Sequence, residues 1–233
     1  MWINVITLCS GYDSQCLALE ELKRKHPDFD YNLVAWSEID KDAIRSHNAL
    51  FPQYKDRNVG DMTKADWSVF ADEQIDLLTY STPCTDISIA GLRKGMAEGS
   101  NTRSSILWST RDCIKALQPK YLLMENVKGV TFKDNIPHLR RWMDELETMG
   151  YRNYWRVLNA LDYGVPQNRE RMFMVSVRKD IPKDFTFPLP VPRRLALADI
   201  FNDDKDLDER LFANDEQIKQ LKKVMEDNEI HTE

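Results

Sequence analysis

A cysteine, a glutamate and a pair of arginines follow apolar runs, where they could form a reactive site. Cys84 lies in a loop after the apolar run at residues 75–80, and Glu125 ends another such run. Arg169 and Arg171 are separated by one residue, so on a strand both side chains would project from the same face. A cysteine thiolate is a nucleophile, but Cys84 taken alone is better explained as an inert loop cysteine.

Acidic side chains stand at three further places that could bind a ligand. Asp13 belongs to a turn with one glycine, Glu38 follows the run at 32–37, and Asp61 follows a glycine. Asp13 would repel a pyrophosphate but suits the cationic S-adenosylmethionine, whereas Glu38 could accept hydrogen bonds from ribose hydroxyls and Asp61 from an adenine amino group. Each signal is weak alone, because acids after strands often form turns or helix caps. Their joint spacing favours a nucleoside cofactor.

The elements that must position these residues alternate between short β-rich runs and stretches of helical period. Strands are predicted at 4–8, 32–37, 75–80, 121–125, 152–158 and 171–178, and helices at 14–25, 41–50, 104–117, 136–149 and 215–225. Asp40 is a plausible cap for the second helix. The alternation predicts an α/β fold with a doubly wound, mostly parallel sheet and an antiparallel edge strand. Ligands of such sheets bind beyond the carboxyl ends of the strands.

Together, these motifs resemble the signature set of the cytosine-5 DNA methyltransferase family. The main matches, in chain order behind the Ser10-Gly11 turn and Glu38, are Pro83-Cys84, Glu125-Asn126-Val127 and Gln167-x-Arg169-x-Arg171. Asp61-Met62-Thr63, Arg103-Ser104-Ser105-Ile106 and Tyr163-Gly164-Val165-Pro166 agree with lesser motifs of the family. The resemblance covers roughly residues 3–200 and implies a Rossmann-like class I methyltransferase fold.

The resemblance also implies a reaction and a role for each motif residue. The target cytosine would be flipped out of double-stranded DNA, and Cys84 would add to its carbon 6 as a thiolate. Glu125, protonated because enclosure raises its pKa, would contact ring nitrogen 3, while Arg169 and Arg171 would anchor the base and orient Glu125. Pro83, Asn126 and Gln167 would contact the substrate. S-adenosylmethionine would be bound by Cys9, Ser10, Gly11, Asp13, Glu38, Ile39, Asp61, Met62, Pro83 and Ile106. Residues 87–102 would close over the flipped base.

Two parts of the chain differ in composition. Residues 1–190 are predicted to form the catalytic domain, and 191–233 an acidic tail that begins a target-recognition domain. The family's closing motifs are not evident in this tail, so the chain is interpreted as a fragment, a split enzyme or a degenerate copy. A missing C-terminal part or a second chain is expected to supply target recognition. Acting alone, the chain is expected to bind its cofactor weakly. Residues 91–194 carry 19 Lys and Arg against 11 Asp and Glu, which fits phosphate contacts or ordinary solvated charge.

The composition excludes several classes of protein. The four cysteines include no Cys-x-x-Cys pair, so neither disulfides nor a zinc site are expected, and the apolar runs are too short to cross a bilayer. A soluble, cytoplasmic protein is expected. Three alternatives stay open: a tRNA cytosine-5 methyltransferase, a non-catalytic binding subunit, and a nucleotide-binding oxidoreductase, the last disfavoured by Asp13 and the missing glycines. The motifs do not separate a restriction-linked enzyme from a standalone one.

Overall fold

A six-stranded sheet organises the chain within residues 1–83, 98, 103–192, 195–200 and 212–227, which the computed structural model describes. Cys84 and most of the loop at 87–102 lie outside these residues. The strands are β1 (Trp2–Leu8), β2 (Asp30–Ser37), β3 (Leu77–Tyr80), β4 (Tyr121–Val127), β5 (Tyr151–Asn159) and β6 (Glu170–Arg178). Their order across the sheet is β2-β1-β3-β4-β6-β5.

The sheet is mostly parallel, which confirms the predicted fold class. Strand β1 pairs in parallel with β2 and β3, and β3 pairs in parallel with β4. Strand β6 is antiparallel to both β4 and β5. The antiparallel strand therefore lies one position in from the edge, not at the edge as expected. Its position buries Met172 and Met174 in the main core, while β5 takes the edge.

Helices cover both faces of the sheet, as a doubly wound fold requires. They are α1 (Ser14–Lys25), α2 (Lys41–Leu50), α3 (Thr110–Leu117) and α4 (Ile136–Thr148). A further helix, α5 (Asp215–Asp227), has exposed side chains at residues 215–223. The helix predicted from residue 104 begins as a 3₁₀ segment, Arg103–Ser109, and becomes α-helical at Thr110. No helix in the described part of the chain is long and apolar enough to cross a membrane.

The side chains of the strands pack into two hydrophobic cores, one on each face of the sheet. The larger core lies under α3 and α4, where the Trp142 indole donates a hydrogen bond of 3.1 Å to the Tyr80 hydroxyl. The smaller core contains Val5, Leu33 and Trp36 with the α1 residue Cys16. Neighbouring residues of a strand point to opposite faces of the sheet. The residues that pack into the two cores therefore determine which way the side chains point at the carboxyl end of each strand.

Two aspartates begin the helices nearest that edge. Asp40 caps α2, as predicted, by accepting hydrogen bonds from the backbone amides of Asp42 and Ala43. Asp13 caps α1 by accepting from Cys16 N at 3.1 Å, and it does so with a left-handed backbone (φ 66°). That conformation costs roughly 1 kcal/mol for a residue with a Cβ.

Candidate active site

The parallel strands β1 to β4 end at one edge of the sheet, and the residues that follow them meet there. A cavity of about 260 Å³ opens at this edge. Its wall combines two carboxylates with apolar and sulfur-containing side chains: Cys9, Ser37, Glu38, Ile39, Asp61, Met62, Ser81, Pro83 and Ile106. Every predicted cofactor residue except Ser10, Gly11 and Asp13 lies in this wall. Ser37 and Ser81 are additions that the sequence analysis missed.

Glu38 ties the turn after β1 to the end of β2. Its Oε2 accepts a hydrogen bond of 2.8 Å from Gly11 N, and its Oε1 accepts from Ile39 N at 2.8 Å and from Asp40 N at 2.9 Å. A carboxylate offers about four acceptor positions, so roughly one stays free on Oε2. In this arrangement Glu38 can accept from one ribose hydroxyl, whereas the sequence analysis expected both.

Asp61 and Cys9 also belong to the cavity wall. Asp61 Oδ1 is occupied by the amide and hydroxyl of Thr63, at 3.0 and 2.7 Å, and these bonds lower the pKa of Asp61. Its Oδ2 pairs with Lys64 at 3.3 Å and keeps an acceptor position. Burial, with Glu38 and Asp61 nearby, raises the pKa of the Cys9 thiol to about 12. Cys9 is therefore a neutral wall residue, and the charge of the cavity comes from the two carboxylates.

Asp13 does not face this cavity. The side chain is fully buried, and its Oδ2 accepts a hydrogen bond of 2.7 Å from the Thr7 hydroxyl, which also contacts the Ser10 hydroxyl at 2.9 Å. His47 Nε2 lies 3.6 Å from the same carboxylate. The left-handed backbone turns Asp13 inwards, so it shapes the turn and does not present its charge to a ligand. The expected attraction between Asp13 and a cationic cofactor does not apply.

A second, larger cavity of about 710 Å³ lies beyond Ser81, which lines both. Glu125, Arg169 and Arg171 project into it from β4 and from the start of β6. Ser10 and Gln15 border it on the side of α1, and Leu77, Leu123 and Phe173 supply apolar surface. Three of the four residues predicted to be catalytic thus share one cavity, and the fourth, Cys84, is outside the described residues, immediately after Pro83.

Glu125 is a titratable side chain in the wall of this second cavity, and its pKa is shifted. Arg171 Nε lies 3.1 Å from Glu125 Oε1. Burial raises the pKa of Glu125, against the opposing influence of Arg171, of Arg169 and of a hydrogen bond with the Ser81 side chain. Because desolvation is the largest effect, the carboxyl holds its proton to higher pH than an exposed glutamate does. Such a group can donate a proton to a basic ring nitrogen.

Two predicted substrate contacts lie elsewhere. Asn126 is buried, and its Nδ2 donates to the Thr82 carbonyl at 3.2 Å while its Oδ1 accepts from Val127 N at 2.9 Å. It holds the segment leading to Pro83 instead of lining either cavity. Gln167 is exposed in the turn before β6, where its backbone amide donates to Val165 O at 2.8 Å.

A family model for C-5 cytosine-specific DNA methylases matches residues 3–233. The chain belongs to that family. Type II methyltransferase M2.ScrFI of Lactococcus lactis subsp. cremoris is 40% identical over 162 residues, which are 70% of this chain and 44% of the relative. Orphan methyltransferase M.SPRI of Bacillus phage SPR is 31% identical over 230 residues, which are 97% of this chain and 50% of the relative. The chain therefore spans about half the length of these two relatives.

The fold of this member of the family is shared with solved structures. The structure of the Entamoeba histolytica methyltransferase EhMeth superimposes with a TM-score of 0.71 at 18% identity, covering 97% of this chain and 66% of that one. At such identity the likeness supports the architecture alone. The family membership and the fold agree with the strand order and with the position of the two cavities at the carboxyl edge.

Proposed function

We propose that this chain transfers a methyl group from S-adenosylmethionine to carbon 5 of a cytosine in double-stranded DNA. The observation that carries the proposal is the placement of Glu125, a carboxyl with a raised pKa, beside Arg171 in a cavity joined through Ser81 to an acidic cavity. Family membership supports the same chemistry.

The first cavity suits the adenosine part of S-adenosylmethionine. Glu38 and Asp61 each keep an acceptor position, for a ribose hydroxyl and the adenine amino group respectively. Met62 and Ile106 offer apolar surface to the base. At about 260 Å³ the cavity is at the lower end of ligand sites, which typically measure roughly 300–1,000 Å³. When bound, the cofactor supplies the methyl group.

The second cavity would hold the flipped cytosine against Glu125. The Cys84 thiolate adds its electron pair to carbon 6, forming a carbon–sulfur bond, while the Glu125 proton moves to ring nitrogen 3. Carbon 5 thereby becomes electron-rich enough to accept the methyl group, and the sulfur of the methyl donor would keep the electron pair of the broken sulfur–methyl bond and leave as a neutral thioether. A base then removes the carbon 5 proton, the carbon–sulfur bond breaks to restore the thiolate, and the proton on nitrogen 3 returns to Glu125. Arg171 keeps the carboxyl oriented, and Arg169 adds positive charge beside it.

We propose that residues 1–190 form the catalytic domain and that residues 191–233 begin a target-recognition domain. A further segment or a second chain would complete that domain. Two observations support this. Leu123 and Phe173 are only partly buried in the second cavity, and the described side chains of α5, at residues 215–223, are all exposed. Exposed apolar residues of α5 include Ile218 and Leu221. Such surfaces are typical of contacts that another segment completes.

Transfer of tritiated methyl groups tests the proposal. The chain is incubated with labelled S-adenosylmethionine and either cytosine-containing duplex DNA or a tRNA transcript, and the labelled base is identified after hydrolysis. We expect 5-methylcytosine in DNA, and its loss in Cys84→Ser and Glu125→Gln. Label only in tRNA would favour the RNA alternative. Tight cofactor binding without any transfer would favour a non-catalytic subunit.

A further inference from the structure

Asn58 lies behind the wall of the first cavity, between the end of β2 and the segment that leads to Asp61. Its side chain is half-buried and is not part of the cavity wall. A parallel bridge pairs Asn58 with Trp36, and the backbone amide of Val59 donates to Trp36 O at 2.8 Å. Residues 58 and 59 therefore run alongside the end of β2. The proposed reaction gives Asn58 no role.

The side chain of Asn58 joins the two segments that carry the carboxylates of the cavity. Its Oδ1 accepts hydrogen bonds from Glu38 N at 3.2 Å and from Gly60 N at 2.9 Å. Its Nδ2 donates to Glu38 O at 3.1 Å. Asp61 follows Gly60 directly in the chain. One amide group thus binds both backbone groups of Glu38 and the backbone amide of the residue before Asp61.

These three contacts determine which way the Asn58 amide points. An amide oxygen has two acceptor positions, and an amide nitrogen only donates. Two backbone N–H groups converge on one terminal atom of the side chain, and a carbonyl oxygen faces the other. The opposite orientation would place donors against the amides of Glu38 and Gly60. The orientation in the structure satisfies all three backbone groups and uses both acceptor positions of the oxygen.

Gly60 provides the bend between Asn58 and Asp61. Its φ is 72°, in the left-handed region that glycine adopts without a steric penalty. The Ser37 hydroxyl donates to Gly60 O at 2.6 Å, so side chains bind both the carbonyl and the amide of this glycine. The bend is therefore held against the end of β2, and the position of Asp61 relative to Glu38 depends on Asn58 and Ser37.

The spacing between Glu38 and Asp61 determines what the first cavity can bind. In the proposed site, Glu38 accepts from a ribose hydroxyl and Asp61 from the adenine amino group, which belong to different ends of one nucleoside. Hydrogen bonds weaken steeply when their geometry departs from the preferred distance and angle, so both form only if the two carboxylates match the length of the ligand. A wall that is ordered before binding also loses less conformational freedom when the ligand arrives.

We propose that Asn58 is a positioning residue that holds Glu38 and Asp61 at the spacing required by the adenosine part of S-adenosylmethionine. The inference rests on the proposed function for the identity of the ligand. The three hydrogen bonds belong to the free protein, so they can be measured without cofactor or DNA.

Amide hydrogen exchange in the free chain, followed residue by residue by NMR, tests these contacts. In Asn58→Ala the backbone amides of Glu38 and Gly60 lose their acceptor. We expect both to exchange about tenfold faster than in the parent, as the loss of one hydrogen bond predicts. Unchanged exchange at both amides would overturn the proposal.

Asn153 provides the matched control. It is also a half-buried asparagine, its Nδ2 donates to Met143 O at 3.0 Å, and its Oδ1 accepts from the Ser176 hydroxyl at 2.7 Å. It is in the wall of neither cavity. Asn153→Ala therefore removes a similar set of hydrogen bonds at a distance from the proposed cofactor site. We expect it to leave the exchange of the Glu38 and Gly60 amides at the parent rate.

Calorimetric titration with S-adenosylhomocysteine, the demethylated cofactor, measures the consequence for binding. We expect Asn58→Ala to raise Kd about tenfold, which corresponds to roughly 1.4 kcal/mol, and Asn153→Ala to leave Kd unchanged. In a Glu38→Gln background, Asn58→Ala should raise Kd less than about threefold, because Asn58 acts in part through Glu38. A merely structural role would give the same factor in both backgrounds.

Three results of the titration would overturn the proposal while the proposed cofactor stands. They are a parent Kd in Asn58→Ala, an equal increase in Asn153→Ala, and the same factor with and without Glu38→Gln. If the parent chain itself does not bind S-adenosylhomocysteine, the proposed cofactor is wrong, and the role of Asn58 in its binding is wrong with it.

Discussion

Arg171 Nε lies 3.1 Å from Glu125 Oε1, although the two residues are not opposite each other in the sheet. Glu125 pairs with Phe173, and Arg171 pairs with Val127, so the contact runs diagonally across the antiparallel strands β4 and β6. Diagonal neighbours of this kind are within reach only of long side chains. The ion pair therefore depends on the insertion of β6 next to β4, and the fold determines the electrostatics of the site.

The raised pKa of Glu125 predicts a pH-dependent cost to stability. Since the folded pKa lies above the unfolded value, the stabilising contribution is present at acidic pH and is lost as pH rises through the folded pKa. Glutamine at this position cannot ionise, so Glu125→Gln should lose less stability than the parent over that range. Urea unfolding at a series of pH values from 4 upwards measures the difference in the free energy of unfolding.

An exposed glutamate serves as the control for that series. Glu73 is exposed, and Glu73→Gln should track the parent across the pH range. A free-energy difference between parent and Glu125→Gln that stayed constant with pH would show that Glu125 titrates as an ordinary glutamate. The proposed acid role would then lose its physical basis.

Glu38→Gln should weaken cofactor binding and loosen the turn after β1. The amide that replaces one carboxylate oxygen brings a donor against a backbone amide, either Gly11 N or the pair at Ile39 and Asp40. Losing a charge-assisted hydrogen bond costs about 1.5–3 kcal/mol, which corresponds to roughly 10- to 150-fold in Kd. Isothermal titration with S-adenosylmethionine measures this change. An unaltered Kd would place the ribose away from Glu38.

Asp13→Ala should destabilise the protein more than Asp40→Ala does. Both substitutions remove an N-cap, at a typical cost of about 1 kcal/mol each. At position 13 the alanine must also adopt a positive φ, which aspartate tolerates better because its side chain hydrogen-bonds locally, and the Thr7 hydroxyl loses its carboxylate acceptor. Asp40, by contrast, has an ordinary extended backbone (φ −72°). Asp13→Asn, which caps and tolerates the left-handed region, should recover most of the loss. Urea unfolding of the three variants checks the order, and equal losses for the two alanine variants would refute it.

Local signals in the sequence predicted much of the fold. The bounds of α1 and α2 agree with the predicted 14–25 and 41–50 because helical periodicity coincides there with a capping aspartate. The strand order was harder to predict from the sequence, because the insertion of β6 between β4 and β5 depends on long-range pairing. The 3₁₀ start at Arg103–Ser109 also lacks a local signal that separates it from a helical turn.

The candidate site was predicted by motif and corrected by geometry. Positions after strand ends predicted most of the wall of the first cavity, since the carboxyl ends of parallel strands share one edge. The inward turn of Asp13 follows from its positive φ. An aspartate in the sequence does not by itself predict a positive φ. Gln15 and Ser81 are 66 positions apart and meet only in the folded chain, so the sequence offered no pattern that links them.

The central claim is that Cys84 attacks a cytosine placed beside Glu125. Mass spectrometry of the chain after incubation with S-adenosylmethionine and duplex DNA containing 5-fluorocytosine tests it most directly, because fluorine at carbon 5 blocks the final proton removal and traps the adduct. We predict a covalent adduct on the peptide containing Cys84, absent in Cys84→Ser and reduced in Glu125→Gln. An adduct on another residue, or none on folded protein with both cofactor and DNA bound, would contradict the account.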